Sequence, residues 1–278
     1  MLHQVLLAVD GSGRSREMLN MLLSLPSMQN VQINVLHVIP NLINSEAVTE
    51  YRLAGEKIIE REVKNLRLSS GNTTVSMLKE GEPKDIVCRI AEDLKPDLMI
   101  MGSRGMGRLQ AILANSVSQY VFQLADAPML LIKDDVYIKT IRNIMVSIDG
   151  SASANNCLEL AINLVSGAKD VEILLARVVK RKEDVNANND PALAEASAKL
   201  KRLGIPSRSL IGFGDVGKEI CKMADDANAT LLMIGSPDRR PSIARSLPDL
   251  DRLLGASVSD YVRVNATCPV LLTRTIEK

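Results

Sequence analysis

The sequence predicts an α/β protein made of two copies of one domain, each a five-stranded parallel sheet with helices on both faces. Apolar runs of strand length alternate with longer segments of helical period along the whole chain, the pattern of βα units. The chain also repeats itself: VLLAVDGS at 5–12 returns as IMVSIDGS at 144–151, LMIMGS at 98–103 as LLMIGS at 231–236, and SVSQYV at 116–121 as SVSDYV at 257–262. Both halves end alike, in APMLLIK at 127–133 and CPVLLTR at 268–274. At 278 residues the chain is long enough for each copy to bury its own core. The join falls in a short polar connection near Asp134–Tyr137, which gives domains 1–136 and 137–278.

In the first copy the expected strands are 3–9, 31–38, 73–78, 97–101 and 128–132, with helices near 12–24, 45–69, 83–93 and 115–125 between them. The first strand ends at Asp10. The long helix at 45–69 mixes charge with the apolar residues Ile58, Ile59, Val63 and Leu66, so it is expected to lie across one sheet face. Its counterpart in the second copy enters at Asp190-Pro191, a helix-start signal, and runs through Leu193, Leu200 and Leu203. The run Asp97–Met101 reads as a buried strand.

Directly after that strand comes Met101-Gly102-Ser103-Arg104-Gly105-Met106-Gly107, and then a helix start at Ser116. Glycines at 102, 105 and 107 let the backbone approach a ligand with no Cβ in the way. Ser116 and Ser118 offer hydroxyls and N–H groups at a helix N-terminus, which favours anions, so phosphate is the natural guest. An isolated glycine cluster after a strand is more often plain loop geometry.

Composition excludes several classes. The net charge is +1 with basic and acidic residues well mixed, which argues against a nucleic-acid surface built on bulk positive charge. Two Phe, four Tyr and no Trp leave little for base stacking. Cys88, Cys157, Cys221 and Cys268 are scattered, suggesting neither a zinc site nor a disulfide framework, and a reducing cytoplasm fits. The N-terminus lacks the basic start of a secretory signal, and no apolar segment approaches spanning length.

Spacing supplies the specificity that the glycine cluster lacks. Gly102-x2-Gly105-x9-Asn115-Ser116, preceded by Asp10 at the end of the first strand, resembles the Gly-x2-Gly-x9-Gly-Ser/Thr pattern of ATP-binding universal stress proteins. The resemblance covers nearly the whole chain as a tandem, two-domain type. Asn115 stands where the pattern has its third glycine, a substitution the turn tolerates because Asn enters the left-handed region more readily than other side chains.

The resemblance implies Rossmann-like domains of the adenine-nucleotide α-hydrolase-like (HUP) class, in which ligands sit where strand order reverses. It also implies an adenine-nucleotide site at Ala8, Val9, Asp10 and Val38 on the base side. Met101, Gly102, Arg104 and Gly105 line the loop, and Asn115, Ser116, Val117 and Ser118 cradle the phosphates. The ligand expected is ATP, or AMP or ADP, with Mg²⁺ accompanying the nucleotide. From the residues alone, Asp10 either accepts hydrogen bonds from an adenine or ribose or caps the helix starting near Ser12. A lone Val38 on a strand reads as core, and Arg104 either pairs with phosphate or is simply solvated.

The second copy departs from this pattern. It keeps Asp149, Val178 and Gly235, but Asp238 replaces the second loop glycine and Ala256 the third, with eight extra residues between loop and serines. A carboxylate in a phosphate pocket repels its ligand, so one competent site and one degenerate site are expected. Gly212-Phe213-Gly214-Asp215-Val216-Gly217-Lys218-Glu219 imitates a phosphate loop, yet it ends in Glu219 where a Ser/Thr is needed and aligns with an ordinary strand exit at Gly81.

His3 and His37 have no cysteines beside them and form no metal centre, and no hydrolytic triad or adenylyl-transfer motif is visible. Three readings follow: a nucleotide-binding regulatory protein of the stress response, a nucleotide-independent interaction or scaffold protein, and a slow ATP hydrolase for which no general base is evident. The short apolar strands that close each copy are edges liable to pair. The resemblance implies an intrachain pseudo-dimer through them, a homodimer of chains, and an unidentified signalling partner.

Overall fold

The computed structural model describes residues 2–41, 45–103, 117–133, 140–180, 190–237 and 257–275. The chain forms two compact units. The first runs β1 (Gln4–Ala8), α1 (Arg14–Leu22), β2 (Gln32–Ile39), α2 (Ser45–Lys64), β3 (Thr73–Glu80), α3 (Pro83–Leu94), β4 (Leu98–Ser103), α4 (Val117–Leu124) and β5 (Met129–Lys133). The second runs β6 (Asn143–Ser147), α5 (Ala152–Val165), β7 (Glu172–Val179), α6 (Pro191–Arg202), β8 (Ser207–Phe213), α7 (Val216–Asp226), β9 (Leu231–Pro237), α8 (Val258–Asn265) and β10 (Val270–Thr275).

The first unit's sheet is parallel, in the order β3-β2-β1-β4-β5, and the second repeats it as β8-β7-β6-β9-β10. Strands covered on both faces carry unbroken apolar runs, as the fully buried Val5, Leu6 and Leu7 of β1 and Leu98, Met99 and Ile100 of β4 show. Right-handed crossovers place α1 and α2 on one face and α3 and α4 on the other, because the chain reverses its direction of travel across the sheet after β3. That reversal puts β1 beside β4, with Ala8 in register with Met101.

Three of the element ends that differ from the sequence expectation do so for a local reason. Helix α1 starts at Arg14 and not at 12, because the Asp10 carboxylate holds the Ser12 N–H at 2.8 Å and Gly13, at φ 82°, turns the chain into the helix. Helix α2 stops at Lys64 and not at 69, where the Asn65 side chain donates to the Arg61 carbonyl at 2.7 Å. Leu203 is no core residue of α6: it is the C-cap and 54% exposed, and Gly204 at φ 68° lets the Ile205 N–H return to the Leu200 carbonyl.

Asp190 does more than mark the entry of α6. Its buried carboxylate accepts the Leu193 N–H at 3.0 Å and the Arg177 Nε at 2.9 Å. Burial pushes its pKa up, but the Leu193 amide and the Arg177 guanidinium outweigh it and hold the carboxyl below its usual 3.8. Asp190→Ala removes a cap and strands a guanidinium, so urea unfolding at neutral pH should show a loss of about 2 kcal/mol. A carboxyl with a depressed folded-state pKa stabilises above the unfolded value and loses that contribution as pH falls through the folded one. The gap between wild type and variant should therefore close below pH 3.8. A gap unchanged at low pH would contradict this account of Asp190.

Candidate functional site

The reversal point of the first sheet gathers most of the expected residues that the structure describes. Ala8 and Met101 lie side by side at the carboxyl ends of β1 and β4, and Gly102 follows in register with Ile132 of β5. Val9 is buried just past β1, its N–H donating to the Leu36 carbonyl at 2.9 Å and its carbonyl lying 2.8 Å from His37 Nδ1. The half-buried Val38 stands next to His37 near the end of β2, in register with Lys79 of β3. Val117 opens α4, and Ser118 behind it is buried. Arg104, Gly105, Asn115 and Ser116 lie outside the described residues.

Asp10 is exposed two residues past β1 and does not cap α1. It is nevertheless a prepared carboxylate. Burial works to raise its pKa, but the hydroxyl and N–H of Ser12, its own N–H and the Arg14 charge prevail and keep it below its ordinary value. The N-cap of α1 is Gly13, which brings no side-chain acceptor to the first turn of the helix.

Gly102 and its counterpart Gly235 are glycines for different reasons. A Cβ placed on Gly235 would lie 2.4 Å from the Ser153 carbonyl carbon and 2.5 Å from the Ala154 nitrogen, because the first turn of α5 packs directly on β9. A Cβ on Gly102 meets no described atom within 4 Å, and the residue has no positive φ to accommodate. Neither packing nor backbone conformation among the described residues demands a glycine there.

The second unit uses the same positions for internal bonds. At the position of His37 stands Arg177, engaged by Asp190. Ser236, at the end of β9, shares a buried 3.1 Å hydroxyl contact with Ser259, which in turn lies 2.8 Å from Ser257. Ser257 caps α8 through the Asp260 N–H at 3.1 Å, and the Asp260 carboxylate accepts the Ser257 hydroxyl at 2.8 Å. A negative charge therefore already sits in the first turn of α8, where the first unit carries the neutral Gln119. The imitation phosphate loop is a turn, with Gly214 at φ 115° and Asp215 capping α7 through the Lys218 N–H at 3.0 Å.

Sequence reasoning missed Arg16, Arg61 and Glu62, which surround the turn between β1 and α1. The signal was present: Glu62 falls on the apolar face of α2, between Ile59 and Leu66, where a charge is out of pattern. Among the described residues no group of three or more His, Cys, Asp or Glu is placed to hold a metal ion, and no helix is long and apolar enough to cross a membrane. None of the four cysteines forms a disulfide, and burial pushes the Cys157 thiol up to about 12 despite a hydrogen bond with Thr273.

A family model described as the universal stress protein family matches residues 1–133 and again 140–274. The chain is 27% identical over 149 residues to the universal stress protein YxiE of Bacillus subtilis, covering 48% of this chain and all of that protein. It is 38% identical over 56 residues to a universal stress protein A-like protein of Arabidopsis thaliana, which is 20% of this chain and 32% of that one. In fold it is similar to a universal stress protein from Archaeoglobus fulgidus, with a TM-score of 0.76 at 22% identity over 98% of this chain and 96% of that one.

Proposed function

Since the chain belongs to the universal stress protein family along both of its halves, we propose that it is an adenine-nucleotide-binding regulatory protein of the stress response, with the nucleotide held by the first unit. The position of Gly102 supports this reading, because a strand-end glycine whose added Cβ would meet no described atom within 4 Å is explained by a ligand that comes close. Asp10, Ala8, Val9 and Val38 take the adenine and ribose side. Gly102, Gly105, Ser116 and Ser118 take the phosphates, with Met101, Arg104, Asn115 and Val117 completing the lining. The residues fit such a guest: β1 and β4 end together at the reversal point, and the α4 entrance carries serines and no acidic residue in its first turn. Mg²⁺ enters with ATP, held by its phosphates.

The second unit binds no nucleotide in this proposal, since Asp260 and the first turn of α5 fill the corresponding places. Calorimetric titration of nucleotide-stripped protein with ATP and Mg²⁺ should give a stoichiometry near one per chain. A value near two would assign binding to the second unit as well. Absence of heat and of thermal stabilisation at millimolar ATP would instead favour the nucleotide-independent interaction protein, a reading that Asn115 in the third glycine position supports.

The same proposal includes a cytoplasmic location, a pseudo-dimer of the units through β5 and β10, a homodimer of chains, and a signalling partner that responds to the nucleotide. Light scattering during size exclusion should give twice the chain mass of 30.3 kDa. A single species at the chain mass across working concentrations removes the homodimer.

A further inference from the structure

The turn after β1 is held by a buried ionic cluster whose residues are replaced at the aligned positions of the second unit. Glu62 of α2 has a fully buried side chain, its Oε2 3.1 Å from Arg16 Nη1 and its Oε1 3.5 Å from Arg61 Nη2. Arg61 Nη2 also donates to the Gly11 carbonyl at 2.6 Å. The Arg16 guanidinium lies against Gly13, where a Cβ would come within 2.8 Å of Nη2. Arg16 Nη2 meets Glu17 at 2.8 Å, while the buried Arg16 Nε has no hydrogen-bond partner. The cluster thus touches both glycines that flank Ser12, the residue whose N–H and hydroxyl engage the Asp10 carboxylate.

Such a cluster is costly, because two charges lose water on burial and well-packed apolar residues often serve stability as well or better. The second unit shows the apolar solution. Buried Ile59 and Glu62 of α2, and Leu66 just past its end, correspond to buried Leu193, Ala196 and Leu200 of α6, a match reinforced by contacts of the two turns: Gly11 faces Ile58, and Gly150 faces Ala192. In that alignment Ala196 replaces Glu62, Glu195 replaces Arg61 and Asn155 replaces Arg16. The fold therefore does not require the ions. Among the described residues the cluster occurs around the first unit's turn and has no counterpart at the second unit's turn.

We infer that Glu62, Arg16 and Arg61 form a clamp that fixes the Asp10 turn in the shape that receives a nucleotide's base and ribose. They are positioning residues that act through Gly11, Ser12 and Gly13, and their role in binding rests on the function proposed above. The clamp separates turn order from global stability, which gives it a signature distinct from a structural staple.

The test uses the full-length chain with two variants. Arg61→Ala removes the exposed arm to Gly11 together with its 3.5 Å contact to Glu62, and Arg16→Met with Glu62→Leu replaces the buried ions by apolar groups of similar size. Hydrogen exchange of the Ser12 amide should accelerate roughly 10-fold or more in both, while the thermal midpoint of the apolar pair holds or rises. Titration with ATP and Mg²⁺ should weaken by about 10-fold. Unchanged Ser12 exchange, or faster exchange spread over the whole unit with a lowered midpoint, overturns the clamp. If wild type binds no ATP the proposed nucleotide function falls, and the exchange measurement still decides whether the turn is clamped. If wild type and both variants bind ATP equally, the function stands and the positioning role is lost.

Discussion

Gly102→Val should weaken nucleotide binding at least ~100-fold, about 2.7 kcal/mol, and leave the protein as stable as before. The expectation rests on the difference between the two strand-end glycines. At Gly102 an added Cβ meets no described atom within 4 Å, so a branched side chain is expected to project toward the ligand side and take the space a phosphate needs. Valine also favours strand conformation over glycine by an amount on the order of 0.5–1 kcal/mol, so the thermal midpoint should hold or rise. Gly102→Ala, with a single added methyl, should fall between wild type and valine in affinity. Calorimetry beside a thermal melt reads both quantities on the same sample. Retention of wild-type affinity in the valine variant would mean that the ligand does not approach β4. Loss of affinity together with a large drop in midpoint would mean that the neighbour of Gly102 is protein and not nucleotide.

Gly235→Ala should do the opposite, costing about 3 kcal/mol of stability, or roughly 10 °C in the midpoint of the second unit, with little effect on nucleotide affinity. The added methyl would sit 2.4 to 2.5 Å from backbone atoms of Ser153 and Ala154, and backbone cannot swing aside as a flexible side chain does. Relief requires α5 to lift from β9, yet α5 is anchored by its Ser151 cap and by the buried Leu158, Ala161 and Leu164. A midpoint within two degrees of wild type would show that α5 can shift cheaply, and the assignment of Gly235 to packing would fail. Together the two variants ask whether one repeated glycine has separated into a binding role and a packing role.

The chain's membership of its family, foreseen from Gly102-x2-Gly105-x9-Asn115-Ser116, is matched by the family model along both halves. The strand and helix sequence was legible for a physical reason: parallel strands buried on both faces are written as continuous apolar runs such as Val5–Leu7 and Leu98–Ile100, and these contrast sharply with the mixed helices. Helix ends were less legible. The stop after Lys64 depends on the Asn65 side chain choosing a backbone carbonyl, and the late start at Arg14 on Asp10 choosing the Ser12 amide. Such choices follow from local geometry that composition does not encode.

For the site, the sequence by itself determined the repeat, the order of elements and hence the reversal point where Ala8 meets Met101, because chain order and handed crossovers leave little freedom in a doubly wound sheet. It also singled out Asp10 and Gly102. What only the tertiary structure decided is which groups spend their bonds inside the protein. Asp149 and Gly235 look as competent as Asp10 and Gly102 in sequence, yet the second unit brings the α5 backbone onto Gly235 and sets Asp260 in the first turn of α8. Glu62 and Asp190 were legible only as a charge out of pattern and a helix start, and both are buried carboxylates held by arginines from elsewhere in the chain. Whether a polar group serves a ligand or serves the fold is set by the partners within about 3 Å of it, and those partners come from distant parts of the chain that folding alone brings together.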